Sequence, residues 1–429
     1  MAAGEHGPLR NRRFLALWLA QILSQVASNA TTFALIVLVG ERTRSNLLSS
    51  LLILLSVVPA VLFGVLAGLV ADRADRRRIL VATNALRAIA VAVFLFLTED
   101  VTAAFVTNLL VATVTVFFVP AEAALIPSIV RRKDLLVANS LFTFTYNGAF
   151  LVGFVVLAPI LLAVAGYETL FVLLAAMFAA SALLCLTLPA SPRPARTLVP
   201  AVAGQAMAET RRGIAEALTF VRSKPTLLWA LVYVSVANAL IAMAGALAPG
   251  YMREVLGIGE RAVALLVAPA GLGVIFGIVL LNVLGTRLSR TDAAGVALAV
   301  LGGALVALAL ARPLSGLLRQ ASSQLGEALP VFVGVLGVVM LVFGVAYAMI
   351  LVPSMTLLQE ELHEDIRGRV FGVLNMLVST CSFLPLLLAG PIADRWGVAP
   401  VFLGAALVVW GTWLGGSRSR AAARAARSA

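Results

Sequence analysis

The sequence predicts an all-α membrane protein with twelve transmembrane helices, arranged as two halves of six helices each. Three observations support this prediction. The chain is 61% hydrophobic and only 12% charged, and a soluble domain carries roughly twice that proportion of charge. Apolar stretches long enough to cross a bilayer recur along the whole chain. Lysine and arginine collect in every second connection between those stretches, which is typical of membrane topology.

Twelve apolar spans can be drawn, each at or above the ~17 residues that are the lower limit for crossing the hydrocarbon core. The first span follows three arginines, but it is too long for a signal peptide and lacks a cleavage site, so we expect it to be retained. The spans are residues 14–39, 47–71, 79–98, 103–125, 136–165, 169–188, 226–248, 262–285, 293–311, 330–352, 370–390 and 400–416.

The distribution of positive charge predicts the orientation of the spans. Of the 32 lysine and arginine residues, 24 fall in the termini and the connections on their side, and 7 fall on the opposite side. Cytoplasmic connections carry such an excess, so both termini are predicted to be cytoplasmic in a multi-pass protein of the bacterial inner membrane. The net charge of +12 has the same origin, because the basic residues are scattered between spans rather than gathered into a surface for nucleic acid.

The longest cytoplasmic connection divides the chain. It begins with a cluster of prolines at Pro189, Pro192 and Pro194. The stretch that follows has one apolar and one charged face, which predicts an amphipathic helix lying along the membrane surface. The predicted organisation is an N-terminal six-helix bundle over 1–188, a linker with this helix over 189–225, a C-terminal six-helix bundle over 226–416 and a basic cytoplasmic tail over 417–429.

The two halves contain similar segments. Residues 67–73, which end the second span, are echoed by residues 389–395, which end the eleventh. The count of spans places Asp72 on the inside and Asp394 on the outside. Repeats of inverted topology produce that relation, and the alternative is chance similarity between segments rich in alanine and glycine.

A charged run stands between the second and third spans. Gly68 is followed at fixed spacing by Asp72, Arg73, Arg76 and Arg77. A cluster that only stops translocation needs positive charge alone, so the glycine and the aspartate go beyond that requirement. The pattern resembles the loop that joins helices 2 and 3 in the major facilitator superfamily, and twelve spans with a long central connection agree with that resemblance.

Within the superfamily, the chain resembles the bacterial efflux group that contains macrolide exporters and the enterobactin exporter. The resemblance covers nearly the whole chain. The segments that carry it are residues 120–127, 135–141, 216–225, 249–257, 268–273 and 367–375. It implies the major facilitator fold and favours export, but it does not identify a substrate.

The resemblance also implies a gate on the cytoplasmic side. In the superfamily, the aspartate of this pattern caps the start of helix 11, here near residues 368–370, in the outward-facing state. The positive end of the helix dipole and its free N–H groups favour a carboxylate there. An acid at the end of helix 4 often pairs with the arginine that is Arg76 here, and Glu122 stands at that place. The alternative is that Glu122 only reaches the membrane interface. The residues of this predicted inner latch are Gly68, Asp72, Arg73, Arg76, Arg77 and Glu122.

The chain departs from this group at positions that could carry proton coupling. Members often have an acid midway along helix 1 and another early in helix 3, where this chain has Asn29 and Asn84. A proton-coupled transporter needs a group that titrates within the membrane. Glu122 is one of very few acids inside an apolar segment, so we expect coupling that is either absent or routed through Glu122.

Polar residues inside the spans predict a substrate cavity. Arg87 stands nine residues past Arg78, which places it roughly 13 Å along the third span, near the middle of the bilayer. It can meet an anionic substrate or bond a backbone carbonyl, and the sequence leaves both open. The first and fifth spans carry polar stripes, which line either a cavity or an interhelical contact. The candidate cavity residues are Gln21, Gln25, Asn29, Arg87, Tyr146 and Asn147.

These features predict a secondary active transporter that exports a small apolar or amphipathic molecule, of the drug, macrolide or siderophore class, by alternating access. The alternative is a receptor or scaffold of the same fold that transports nothing. An intact inner latch favours the transporter, because a static scaffold needs no breakable helix cap. The sequence contains no phosphate-binding loop, metal-ligand cluster or paired nucleophile, so we expect no enzyme activity, cofactor or metal. We expect membrane lipids and a small-molecule substrate as partners, no nucleic acid, and a monomer.

Overall fold

The computed structural model of the chain describes residues 8–131, 134–190, 219, 223–257, 263–284, 290–321, 325–361 and 385–428. All regular structure in this part of the chain is helical. Nine of the helical segments that it describes are long and apolar enough to cross a membrane. The predicted all-α membrane fold is thereby confirmed.

The chain forms two compact units. The first comprises Met1–Arg44 and Leu52–Thr197, and the second comprises Ser45–Leu51 and Leu198–Ala429. The beginning of the second helix therefore belongs to the second unit, and the rest of that helix belongs to the first. The predicted linker over 189–225, with its amphipathic helix, lies largely outside the described residues and stays a prediction.

The first unit is built from helices that surround its first one. The helices are α1 (Arg12–Thr43), α2 (Asn46–Arg73), α3 (Arg76–Phe94), α4 (Val101–Ile129), α5 (Leu135–Phe150) and α6 (Ala158–Leu186). α1 packs against α4, α5 and α6, and α3 packs against α4 and α6. Asn11 caps the start of α1, and its side chain accepts hydrogen bonds from the backbone N–H groups of Arg13 and Phe14. This cap satisfies two of the free donors at the start of the helix.

α1 is an interior helix. Residues 33–39 are seven consecutive buried positions, which make about two full turns of helix, so no face of this segment is open. Nearer its start, Phe14 and Leu17 join Phe118 and Phe142 in one apolar cluster. Between these two segments, Gln21, Ser24 and Gln25 are buried, whereas Ser28 and Asn29 are half-buried.

α5 and α6 are joined without a loop. Residues Leu151–Leu157 continue α5 as a π-helix that runs into α6. The helical path breaks at Gly166, where φ is 77° and ψ is −177°. Glycine alone adopts this region without strain, because it has no Cβ atom. The fifth and sixth membrane segments therefore meet at Gly166.

The second unit also consists of helices wherever the structure describes it. They are α7 (Pro225–Tyr251), α8 (Ala264–Leu284), α9 (Arg290–Ala321), α10 (Leu325–Glu361), α11 (residues 385–396) and α12 (Val398–Ser428). α10 packs against α7, α8 and α9, and α12 packs against α7 and α9. α12 stays helical to Ser428, through most of the predicted basic tail.

Glycines bring α8 and α10 into backbone contact. A Cβ atom added at Gly344 of α10 would overlap the carbonyl oxygen of Ala270 on α8, and one added at Gly273 of α8 would overlap the carbonyl oxygen of Leu341 on α10. Small residues allow membrane helices to approach this closely, and van der Waals packing then drives their association.

We expect Gly344→Ala to lower the melting temperature of the purified protein in detergent. Overpacking a tight site costs typically about 1–3 kcal/mol, which exceeds the gain of up to about 1 kcal/mol from replacing a helical glycine by alanine. The matched control is Gly334→Ala on the same helix, where an added Cβ has nothing within 4 Å, and it should leave the melting temperature equal or higher. Equal melting of the two variants would contradict the close contact.

Candidate functional site

Two opposite charges are buried inside the first unit. Arg87 on α3 is 1% exposed and Glu122 on α4 is 5% exposed, and they are the buried charged side chains among the described residues. Each lies within electrostatic range of the other. In the part of the chain that the structure describes, no ion pair joins the guanidinium of Arg87 to the carboxylate of Glu122. Charge inside membrane helices is costly, so it marks a functional site by default.

Side chains from three neighbouring helices hold Arg87. Its Nη1 atom donates to the hydroxyl of Ser24 on α1, at 2.5 Å. Its guanidinium carbon lies 4.7 Å from the centroid of the Phe118 ring on α4 and 5.6 Å from that of Phe178 on α6. The faces of aromatic rings attract a cation. The sequence left open whether Arg87 bonds a backbone carbonyl, and in this structure its described hydrogen bond goes to a hydroxyl instead.

Buried polar atoms without partners accumulate around these charges. We call this group the polar cluster; its residues are Gln21, Ser24, Gln25, Ser28, Asn84, Arg87 and Glu122. The atoms without a hydrogen-bond partner are Gln21 Oε1, Gln25 Nε2, Ser28 Oγ, Asn84 Oδ1, Arg87 Nε, Arg87 Nη2 and Glu122 Oε1. The large majority of buried side-chain polar atoms in folded proteins have a partner. Such a concentration within one unit therefore indicates a site that takes a polar occupant.

Other atoms of the same side chains are anchored. Gln21 Nε2 donates to the carbonyl of Phe142 on α5, at 3.3 Å. Asn84 Nδ2 donates to the carbonyl of Leu80, at 3.0 Å, and also lies 3.8 Å from the sulfur of Cys185. These bonds orient the amides, so that each one leaves its oxygen for another partner.

The predicted cavity residues fall into three groups. Gln21, Gln25 and Arg87 lie in the polar cluster. Asn29 is half-buried and donates to the carbonyl of Gln25 in its own helix, at 2.8 Å. Tyr146 on α5 is 54% exposed and lies within electrostatic range of Glu122. The side chain of Asn147 lies outside the described part, so its role stays a prediction.

The structure changes one part of the predicted inner latch. Arg76 Nη1 donates to the backbone carbonyl of Ala124, at 2.8 Å, and no ion pair joins Arg76 to Glu122 although both are described. Glu122 is buried and lies within electrostatic range of Arg87 instead. The side chain of Asp72 and its predicted partner at 368–370 lie outside the described residues, so their contact stays a prediction.

The remaining described residues of the predicted latch are Arg73, Arg77 and Gly68. Arg73 is half-buried and its Nη1 has no partner. Arg77 donates its backbone N–H to the side chain of Asp75, at 3.1 Å, and Asp75 caps the start of α3. A Cβ atom added at Gly68 would have nothing within 4 Å, so none of the described residues approaches this glycine closely.

A second polar site surrounds the first turn of α2 and lies entirely within the second unit. The carboxylate of Asp394, on α11, accepts hydrogen bonds from the backbone N–H of Asn46 at 2.6 Å, the backbone N–H of Leu47 at 3.0 Å and the hydroxyl of Ser45 at 2.7 Å. We call this arrangement the α2 cap. A carboxylate at a helix start satisfies free N–H groups and meets the positive end of the dipole.

Glu254 and two glycines complete the α2 cap. Glu254 accepts from the side-chain amide of Asn46 at 3.4 Å and from the backbone N–H of Val398, where α12 begins, at 3.2 Å. A Cβ atom added at Gly390 would lie 2.6 Å from the Cα of Leu47, and one at Gly250 would overlap the side chain of Asn46. Sequence reasoning placed Asp394 in an echo of the inner latch but missed its partners, because 348 residues separate Asp394 from Asn46.

A family model for the Major Facilitator Superfamily matches residues 17–385. The chain belongs to this superfamily. A curated relative is the multidrug efflux pump Tap of Mycolicibacterium fortuitum, which is 26% identical over 422 residues that cover 95% of this chain and 94% of Tap. The predicted membership and the similarity to an efflux group are confirmed.

Solved structures of facilitator-type proteins resemble the chain in fold. The nucleoside transporter NupG has a TM-score of 0.68 at 13% identity, with 94% of this chain and 98% of NupG covered. A bacterial homologue of the human lysosomal transporter Spinster, in an inward-facing and unoccupied conformation, has a TM-score of 0.67 at 16% identity, with 95% and 98% covered. At these identities the likeness establishes the facilitator fold alone.

Proposed function

We propose that the chain is a secondary active transporter that exports small apolar or amphipathic molecules by alternating access. The polar cluster is the observation that carries this proposal. It combines a buried cation, a buried acid and unpartnered amides in helices that the sequence predicts to span the membrane, where such groups usually serve a substrate or ion pathway. Aromatic rings beside the cation add the apolar wall that an amphipathic molecule needs. The similarity to a multidrug efflux pump supports export rather than uptake.

The α2 cap at the start of α2 supports alternating access. In this proposal, the α2 cap holds one end through Asp394, and the predicted inner latch holds the other end through Asp72. A carboxylate at a helix start contributes typically about 0.3–2 kcal/mol. That is enough to favour one state and small enough to be broken in each transport cycle. A receptor or scaffold that never changes state has no use for such contacts.

The test is a thermal-shift screen of the purified protein, followed by transport in proteoliposomes. The panel contains macrolides, siderophores, lysolipids and cationic dyes. A ligand that binds the folded state raises the melting temperature by mass action, and a shifted ligand should be transported by the wild type and poorly by Gln25→Ala. Binding without any transport, in protein that is intact and correctly inserted, would favour the receptor alternative.

We also propose that both termini are cytoplasmic in the bacterial inner membrane, as the distribution of positive charge predicts. Alkaline phosphatase fused after Ser417 should give no periplasmic activity. A fusion after Arg44, in the first predicted outer connection, is the positive control. Strong activity of the Ser417 fusion would refute this orientation.

A further inference from the structure

One edge of Arg87 is free although the side chain is buried. Nη1 is used by Ser24, and the ring of Phe118 lies against the guanidinium. Nε and Nη2 have no hydrogen-bond partner. These two nitrogens share one edge of the guanidinium plane and direct two nearly parallel N–H bonds outward. That fork matches the two oxygens of a carboxylate.

Glu122 does not occupy this edge. It is the other buried charge of the first unit, and it lies close enough to act electrostatically on Arg87. Its Oε1 atom nevertheless has no partner, and no ion pair joins it to Arg87 in the described structure. The fork is therefore open to another acceptor while its neutralising acid stands nearby.

The surroundings select the chemistry of that acceptor. A buried cation is stabilised by an anion far more than by an uncharged acceptor, because the interior screens charge poorly. A phosphate monoester would bring a second negative charge, and the described part of the first unit has no second buried cation to meet it. Phe118 and Phe178 flank the guanidinium, so an apolar ring or chain attached to the carboxylate would meet aromatic surface.

We infer that the Nε–Nη2 edge of Arg87 binds the carboxylate of the exported molecule. This inference rests on the proposed function and names its substrate class, which is small amphipathic molecules with one carboxylate.

The test compares naphthylacetate with the uncharged naphthylacetamide, two probes with the same ring. Binding to the purified protein is measured by calorimetric titration. We expect the acetate to bind the wild type at least about tenfold more tightly than the amide, since a charge-assisted bidentate bond is lost in the amide. Arg87→Lys keeps the charge but loses the fork, and it should weaken acetate binding by about tenfold. Arg87→Gln should abolish the difference between the probes.

Two further variants sharpen the result. Glu122→Gln removes a nearby negative charge and should strengthen acetate binding. Arg78→Gln is the matched control, because Arg78 lies on the same helix but is exposed and beside Asp75, and it should leave acetate binding unchanged. The melting temperature of each variant shows whether it is folded. If Arg87→Gln is not folded, Arg87→Lys tests the inference in its place.

Equal affinity for the two probes, no binding of the acetate, or unchanged acetate binding in Arg87→Gln would overturn the inference. Export of an uncharged dye separates it from the proposed function. If wild-type proteoliposomes export the dye while the acetate does not bind, the proposed export function is supported and the inference that Arg87 binds a carboxylate is refuted. If nothing on the panel is transported, the proposed function itself fails.

Discussion

Asp394→Asn should increase, by about tenfold, the rate at which a cysteine at Val37 is labelled from outside the cell. A carboxylate at a helix start contributes up to about 2 kcal/mol, and each 1.4 kcal/mol shifts an equilibrium tenfold. The asparagine keeps the shape of Asp394 but loses its charge and one acceptor at the start of α2. Val37 is 1% exposed, within the enclosed segment of α1, so in the proposed alternating-access cycle we expect it to react only when the outer side opens. The measurement uses a membrane-impermeant thiol reagent on protein that lacks Cys185 and Cys381.

Asp100→Asn is the matched control for this experiment. Asp100 also caps a helix, but it caps its own: its side chain accepts from the N–H of Thr102 in the first turn of α4, at 2.8 Å. That local cap need not break when the transporter changes state, so the rate at Val37 should not change. A cysteine at Phe96, which is 88% exposed, reports delivery of the reagent. If Asp394→Asn lowers the melting temperature but leaves the rate at Val37 unchanged, the α2 cap is structural only.

Glu122→Gln should abolish the pH change that substrate transport drives in proteoliposomes. Glu122 is the buried acid among the described residues, and Asn29 and Asn84 stand where related exporters often have acids. Glutamine keeps the size and polarity of the side chain, but it cannot exchange a proton. Glu99→Gln is the control, because Glu99 is exposed and paired with Arg42 at the surface, and it should leave the pH change intact.

Proton movement that survives Glu122→Gln would refute routing through this residue. An absence of proton movement in the wild type, with downhill transport intact, would instead indicate a uniporter.

A double-mutant cycle, measured on transport, then identifies the partner of Glu122. The structure leads us to expect a non-additive effect with Arg87→Gln. The effect with Asp72→Asn should be additive within about 0.5 kcal/mol, since the two do not share Arg76.

The fold was largely predictable from the sequence. A membrane span depends on length, apolar composition and flanking charge, and each of these is a local property. For the same reason, Arg87, Gln21 and Gln25 could be selected as site residues, since a charge or an amide deep in an apolar span is conspicuous by itself. The break between the fifth and sixth membrane segments, at Gly166 within α6, also follows from a local property, the freedom of glycine at positive φ.

The partners of the charged residues were not predictable to the same extent. Glu122 was expected to pair with Arg76, but in the structure Arg76 bonds the carbonyl of Ala124 and Glu122 lies near Arg87. Arg76 and Arg87 lie eleven residues apart on α3, which is about three turns. The hydrophobic pattern does not show which of them a side chain of α4 will face, because α4 is apolar on every face.

The sequence by itself determined the class of this protein, its membrane-spanning helices and the positions at which polar groups enter them, because those properties depend on neighbours along the chain. Only the tertiary structure decided which groups meet. It leaves one edge of Arg87 open beside Glu122, and it brings Asp394 to the first turn of α2 across 348 residues. Such contacts depend on how distant helices pack, and packing is set by the shapes of all side chains together rather than by any local pattern.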